Sequence, residues 1–177
     1  MNKNSGWVES GKAVSFMTKE ALEIGVDFKW GAVKRILYRE DESVSGVQTE
    51  AGDIFTSDTV ICAAGSWTTQ LIPSLENVLK PTAQVVFHFE IPPHLKSVFH
   101  HPNFTAFTCD IQKIGFYGFP AYPYDGRLKI GHHSVGENIN PTKLNLLDYG
   151  KKVRKEKEQL FRSFLKENIP SMVKYYF

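Results

Sequence analysis

The segment from Asp58 to Ala64, DTVICAA, is a continuous apolar run closed by Gly65, Ser66 and Trp67. A run of this length without alternation reads as a buried strand, and such strands belong to sheets covered on both faces. That one stretch therefore points to a chain in which helices pack on a sheet. It also puts Gly65 where the carboxyl edge of a sheet meets a turn, a place where backbone approaches a ligand closely. On periodicity alone, the simpler reading is a strand followed by a glycine turn.

The flanking sequence is consistent with that class. Residues 11–24 carry Ala13, Val14, Phe16, Met17, Leu22 and Ile24 at broadly helical spacing, with Gly25 as a C-cap, so the spacing predicts a helix packed on a sheet. Short apolar or alternating runs at 26–30, 32–38, 43–49 and 53–55 read as strands of a small meander, and a short helix is expected over Thr68 to Leu71. Beyond Pro81 the pattern changes to strand candidates at 84–90, 104–109, 115–119 and 127–131, joined by loops rich in Pro, His and Gly. Residues 144–168 form the longest helix candidate, with Leu146, Leu147, Val153, Leu160, Phe161, Phe164 and Leu165 as its buried side. Its charge run from Lys151 to Glu158 is most simply a solvated face. The expected class is α+β, with a boundary near Lys80 and Pro81 separating residues 1–80 from 81–177.

Composition narrows the function. Of 177 residues, 42% are hydrophobic, 13% aromatic and 23% charged, the balance of a globular chain with a packed core. The net charge of +2 arises from 21 basic and 19 acidic residues spread along the chain, so no general field gathers nucleic acid or anionic lipid. No segment approaches the roughly twenty apolar residues of a membrane helix. The polar stretch from Met1 to Gly6 has no signal-peptide core. Cys62 and Cys109 stand apart, with no CxxC pair and no Cys/His cluster at metal spacing, and read as free thiols in a reducing compartment. No metal site is expected, and His88, His94, His100 and His101 read as surface or core residues.

The second cluster with chemical content is GFYGFP, Gly115 to Pro120, followed by RLKIGHH, Arg127 to His133. Antiparallel pairing of these strands brings Tyr117 near Lys129 or His133. A phenol, an ammonium and an imidazole on one cavity suit the holding of an anion or of developing negative charge. The plainer reading leaves Lys129 as a solvated strand residue and His132 and His133 in a loop.

Both clusters, in this order and at this separation, resemble the glycine oxidase and sarcosine oxidase superfamily of flavoproteins, in the style of sarcosine, pipecolate, saccharopine and fructosyl amino acid oxidases. The similarity runs from GWVESGKAV at Gly6 through VICAAGSWT, LKPTAQVV and GFYGFP to LKIGHHSVG. The resemblance implies an FAD cofactor, a small amino acid substrate and oxygen as acceptor. By position, residues 1–80 correspond to part of an α/β FAD-binding domain and residues 81–177 to part of a substrate domain built on an antiparallel sheet. Val33 then lies beside the adenine end of FAD, and Ala64, Gly65 and Trp67 touch the cofactor. Lys129 matches the lysine that activates oxygen, His133 the histidine at the flavin and substrate face, and Tyr117 an aromatic residue lining the substrate pocket.

The same resemblance marks what the chain lacks. No GxGxxG loop occurs to hold the FAD pyrophosphate, and neither cysteine matches the one that tethers flavin in the family. The chain is thus expected to be an incomplete internal piece of an oxidase acting on secondary amines, giving imine and hydrogen peroxide. The alternatives are a piece of a fructosyl amino acid oxidase and an inactive remnant serving as a binding module. A dehydrogenase feeding another acceptor fits Lys129 less well. A cytoplasmic or peroxisomal setting is expected, although the carboxyl-terminal KYYF carries no peroxisomal tripeptide.

Overall fold

A computed structural model describes residues 6–121 and 126–173. Residues 1–5, residues 122–125 and the KYYF terminus lie outside the described residues. Backbone contacts divide the chain into two compact units, one over residues 8–81 and the other over 82–177 together with the amino-terminal residues up to 7.

The first unit opens with helix α1 (Ser10–Glu23), which ends at Gly25 in the left-handed region at φ 92°. Three antiparallel strands follow in the order β1 (Val33–Tyr38), β2 (Val44–Thr49) and β3 (Ile54–Thr56). The β1–β2 turn is fastened by Asp41, whose carboxylate accepts from the Ser43 hydroxyl at 2.6 Å and its backbone N–H at 3.0 Å. These bonds favour the charged form and hold the Asp41 pKa below its ordinary value.

Two expectations fail in this unit. The helix at 10–23 buries none of its side chains, so it is not packed on a sheet. The apolar run at 59–64 and the run at 26–30 form no strand, and Ile61 is 88% exposed. A strand exists only through a partner that takes its N–H and C=O groups. Among the described residues no strand pairs with 59–64. The run ends as expected in a turn, a 3₁₀ segment at Gly65–Trp67 and the short helix α2 (Thr68–Leu71).

The second unit holds the core. After the short strand β4 (Thr82–Ala83) come β5 (Val86–Glu90), helix α3 (Lys96–Phe99), β6 (Phe107–Cys109), β7 (Phe116–Phe119), β8 (Arg127–His132), β9 (Glu137–Asn138) and helix α4 (Leu146–Asn168). Strands β5, β8, β7 and β6 form an antiparallel sheet in that spatial order, while β4 pairs β9. Alternation puts Phe87, Phe89, Phe116, Leu128 and Ile130 on one face, where α4 seats Phe161, Phe164 and Leu165. The ring centroids of Phe116 and Phe164 are 4.0 Å apart at 12° between planes, and those of Phe87 and Phe161 are 4.3 Å apart. Gly118 belongs to this face: a Cβ there would meet the Phe107 ring at 2.4 Å.

Asn145 caps α4, its side-chain oxygen accepting from the Leu147 and Asp148 N–H groups. The helix buries Val153, Phe161, Phe164 and Leu165 but leaves Leu146, Leu147 and Leu160 exposed, contrary to the sequence reading. Leu160 sits about 100° around the helix from Phe161, off the stripe that faces the sheet. Leu146 and Leu147 lie in the first turn, ahead of the buried stripe that starts at Val153.

Replacement of Phe161, which is 1% exposed, by alanine is expected to destabilise this unit by about 3–5 kcal/mol, whereas Leu147→Ala stays within about 0.5 kcal/mol. Urea unfolding followed by near-ultraviolet circular dichroism tests the contrast.

Candidate functional site

With one face of the four-stranded sheet packed on α4, the alternation sends a second set of residues to the opposite face. On β8 these are Arg127, Lys129 and Gly131; on β7, Tyr117 and Phe119; on β5, Val86, His88 and Glu90. The ladder register pairs Lys129 with Phe119 on one side and with His88 on the other. Tyr117 pairs with Gly131, and Glu90 with Arg127.

Lys129 is half-buried, and its Nζ lies 5.5 Å from the centroid of the Phe119 ring, within cation–π range. The rings of Tyr117 and Phe119 meet edge to face at 6.0 Å and 81°. The Tyr117 ring reaches over Gly131: a Cβ at Gly131 would lie 2.2 Å from Tyr117 Cζ and 2.4 Å from its hydroxyl oxygen. His133 is exposed one residue beyond β8, its N–H donating to the Gly115 carbonyl at 2.7 Å. At about 3.3 Å per strand residue it stands roughly 13 Å along the strand from Lys129, with the Tyr117 ring crossing between them. Tyr117 and Lys129 thus lie on one side of one sheet, with His133 just past the end of β8. The expectation of Tyr117 near Lys129 or His133 resolves into a phenol seated over the glycine midway between.

Two residues escaped the sequence reading. His88 was placed among bland surface or core histidines, yet the register aligns it with Lys129. His132 was read as a loop residue; it is half-buried in β8 on the core side, against Phe116 at 4.7 Å, and its Nε2 donates to the Ile114 carbonyl at 3.1 Å. Strand pairing, which no single stretch of sequence carries, decides both.

In the unit over 8–81 two of the other sequence candidates, Val33 and Ala64, line an apolar cleft of about 480 Å³. Val33, Ile36, Val47, Phe55, Cys62 and Ala64 are among the residues lining it. Gly65 follows in the left-handed region at φ 52°, with open space where a side chain would project, and Trp67 is exposed. The cleft is apolar, and the turn at Gly65 beside it carries no side chain. The donors for a pyrophosphate are absent from the sequence as a glycine-rich loop, so these residues do not fit a whole FAD.

On the helix side of the second unit, a cleft of about 280 Å³ includes His132, Glu137, Tyr149, Glu156 and Phe161 in its wall. The Lys152 Nζ is 3.2 Å from both Glu137 carboxylate oxygens. That hydrogen bond and the charge of Glu137 raise the Lys152 pKa above 10.5, while burial and then Glu137 raise the Tyr149 phenol above 10.0. No group of three or more His, Cys, Asp or Glu residues able to hold a metal occurs among the described residues. No helix among them is long and apolar enough to cross a membrane.

Comparison with known proteins adds three findings. The model of the FAD dependent oxidoreductase family matches residues 1–175. Monomeric sarcosine oxidases are similar: that of Bacillus sp. (strain NS-129) is 31% identical over 131 residues, covering 73% of this chain and 32% of its own length. That of Arthrobacter sp. (strain TE1826) is 34% identical over 126 residues, covering 70% and 31%. The chain therefore spans about a third of the length of these relatives. Among solved structures, the fructosamine oxidase of Aspergillus fumigatus (Amadoriase II) superposes with a TM-score of 0.75 at 20% identity, over 97% of this chain and 42% of that one.

Both raised pKa values act in one direction. Between 10.0 and the raised folded value, the unfolded chain releases the Tyr149 proton first, and the same holds for Lys152 above 10.5, so the folded state binds more protons and loses stability as pH rises. The urea midpoint is expected to fall above pH 10, and Tyr149→Phe is expected to make that fall shallower.

Proposed function

The chain belongs to the FAD dependent oxidoreductase family, and from that premise we propose that it is the substrate-side portion of an oxidase of secondary amino acids, with its chemistry at the sheet face around Lys129. In this reading a sarcosine- or pipecolate-type substrate is oxidised to the imine and oxygen is reduced to hydrogen peroxide. Residues 1–80 are part of an FAD-binding domain and residues 81–177 part of the substrate domain.

The observation that carries the reading is the half-buried Lys129 ammonium held against Phe119 on a face shared with Tyr117. Where oxygen takes up an electron, negative charge appears, and a fixed cation in a poorly solvated place lowers the cost of forming it. Phe119 holds that cation through its ring face, and among the described residues no carboxylate forms an ion pair with it. Tyr117 lines the space beside it with an apolar ring and a polar tip. His133 stands at the far end of the same row, toward the amine. Val33, Ala64, Gly65 and Trp67 are assigned to the cofactor side. The likeness to monomeric sarcosine oxidases, at 31–34% identity, supports a small secondary amine rather than a fructosyl amino acid as the substrate in this reading. The fructosamine oxidase likeness, at 20%, speaks for the fold alone.

The first test incubates the purified 177-residue chain with FAD, removes the excess and records the flavin absorbance. Retained flavin followed by peroxide release with sarcosine or pipecolate supports an active oxidase. Retained flavin with no peroxide from any secondary amine overturns the assignment. Absence of bound flavin is the outcome expected from the missing pyrophosphate loop, and the assay then moves to the chain joined to the rest of the family fold. In a flavin-loaded form, Lys129→Met is expected to slow peroxide formation about 10²–10³-fold, the scale of losing one preorganised charge-stabilising group, with amine binding little changed. Equal losses in both would remove Lys129 from the oxygen side.

A further inference from the structure

Gly131 is buried although it lies on the face of the sheet away from α4. What covers it is the ring of Tyr117, its cross-strand partner, whose Cζ, hydroxyl oxygen and Cε1 would stand 2.2, 2.4 and 2.7 Å from a Cβ at that position. Those distances are far inside van der Waals contact, so the ring occupies the volume that any side chain at 131 would fill. Gly131 has no φ in the left-handed region, so its backbone is open to any residue, and the glycine answers to the ring above it. The obstacle is the free end of a side chain, which is able to swing away, whereas at Gly118 the obstacle is Phe107, a ring hemmed in by Phe104 and Phe164.

We propose that Gly131 is a positioning residue for the amine site: its bare Cα is the seat that lets the Tyr117 ring lie across the sheet. With the ring down, its edge-to-face contact with Phe119 forms a continuous aromatic floor beside the Lys129 ammonium. Such a floor suits the ring carbons of a cyclic secondary amino acid, which lose apolar surface on it. A side chain at 131 lifts the phenol into the space where that substrate would lie. This assignment rests on the secondary-amine reading above and adds to it the residue that sets the floor.

The test uses the isotope-labelled 177-residue chain without cofactor. A proton held over an aromatic face is shifted upfield by the ring current, so the Gly131 Hα resonances are expected upfield of ordinary strand positions and are expected to return to them in Tyr117→Leu. Gly131→Ala is expected to keep the far-ultraviolet circular dichroism and to lose the nuclear Overhauser contacts between the Tyr117 ring and residue 131. In the Tyr117→Leu background the same alanine should be tolerated better than in the parent. Gly131 Hα shifts indifferent to Tyr117→Leu, or an alanine equally harmful in both backgrounds, would overturn the seat. Addition of pipecolate separates the two claims. Movement of the Tyr117 ring resonances that Gly131→Ala abolishes supports the positioning role, and movement undiminished by Gly131→Ala rejects it. With the ring-current signature present but no response to pipecolate or sarcosine, the seat stands as a structural feature and the amine reading of this face fails.

Discussion

The arrangement of the second unit depends on four aromatic rings, Phe87 and Phe116 from the sheet and Phe161 and Phe164 from α4. Once they are packed, one face of a strand pair is closed to everything else. Because side chains alternate, the identity of the residues on the other face follows without further choice. A slip of one residue between β7 and β8 would bury Lys129 against α4 and expose Leu128 and Ile130. The core therefore fixes the register, and the register fixes which groups share the open face.

This dependence explains what was legible in the sequence. The strands of the second unit and the span of α4 were readable because GFYGF and RLKIGH alternate and because Val153, Phe161, Phe164 and Leu165 repeat at helical spacing. Lys129 and Tyr117 could be put on neighbouring strands from the turn between them. Their exact partners could not, since pairing Tyr117 with Gly131 and His88 with Lys129 requires long-range register, and β5 lies some forty residues before β8 in the chain. His132 was misplaced for the same reason. The failures in the first unit have a different origin. The runs at 26–30 and 59–64 have the composition of strands, but composition states only what a segment can bury, and among the described residues no strand pairs with either one.

The two units differ accordingly in what they complete. The second closes its own core, with Phe89, Leu128, Ile130, Leu165 and Met172 all at or near zero exposure. The first leaves Val14, Phe16, Met17, Ile24, Trp30 and Ile61 exposed and offers an apolar cleft with a glycine turn beside it. Single exposed apolar residues are ordinary, but so many on one small unit are not. The family match runs along almost the full chain, while the chain spans about a third of the length of the sarcosine oxidases it resembles.

The setting of Lys129 is what gives its face chemical direction. A carboxylate partner would have held the ammonium firmly and cancelled its field at short range. The register instead sets the acid of this row, Glu90, across from Arg127, one pair further along, and gives Lys129 an aromatic ring on one side and an imidazole on the other. A ring attracts a cation through its quadrupole, which falls off steeply with distance and leaves the net charge in place. The ammonium is thereby steadied yet remains electrostatically available to whatever occupies the space above the sheet. Substitution of Phe119 by an acid would set an opposite charge beside Lys129 and weaken that availability, because the field of an ion pair falls off faster with distance than that of a single charge.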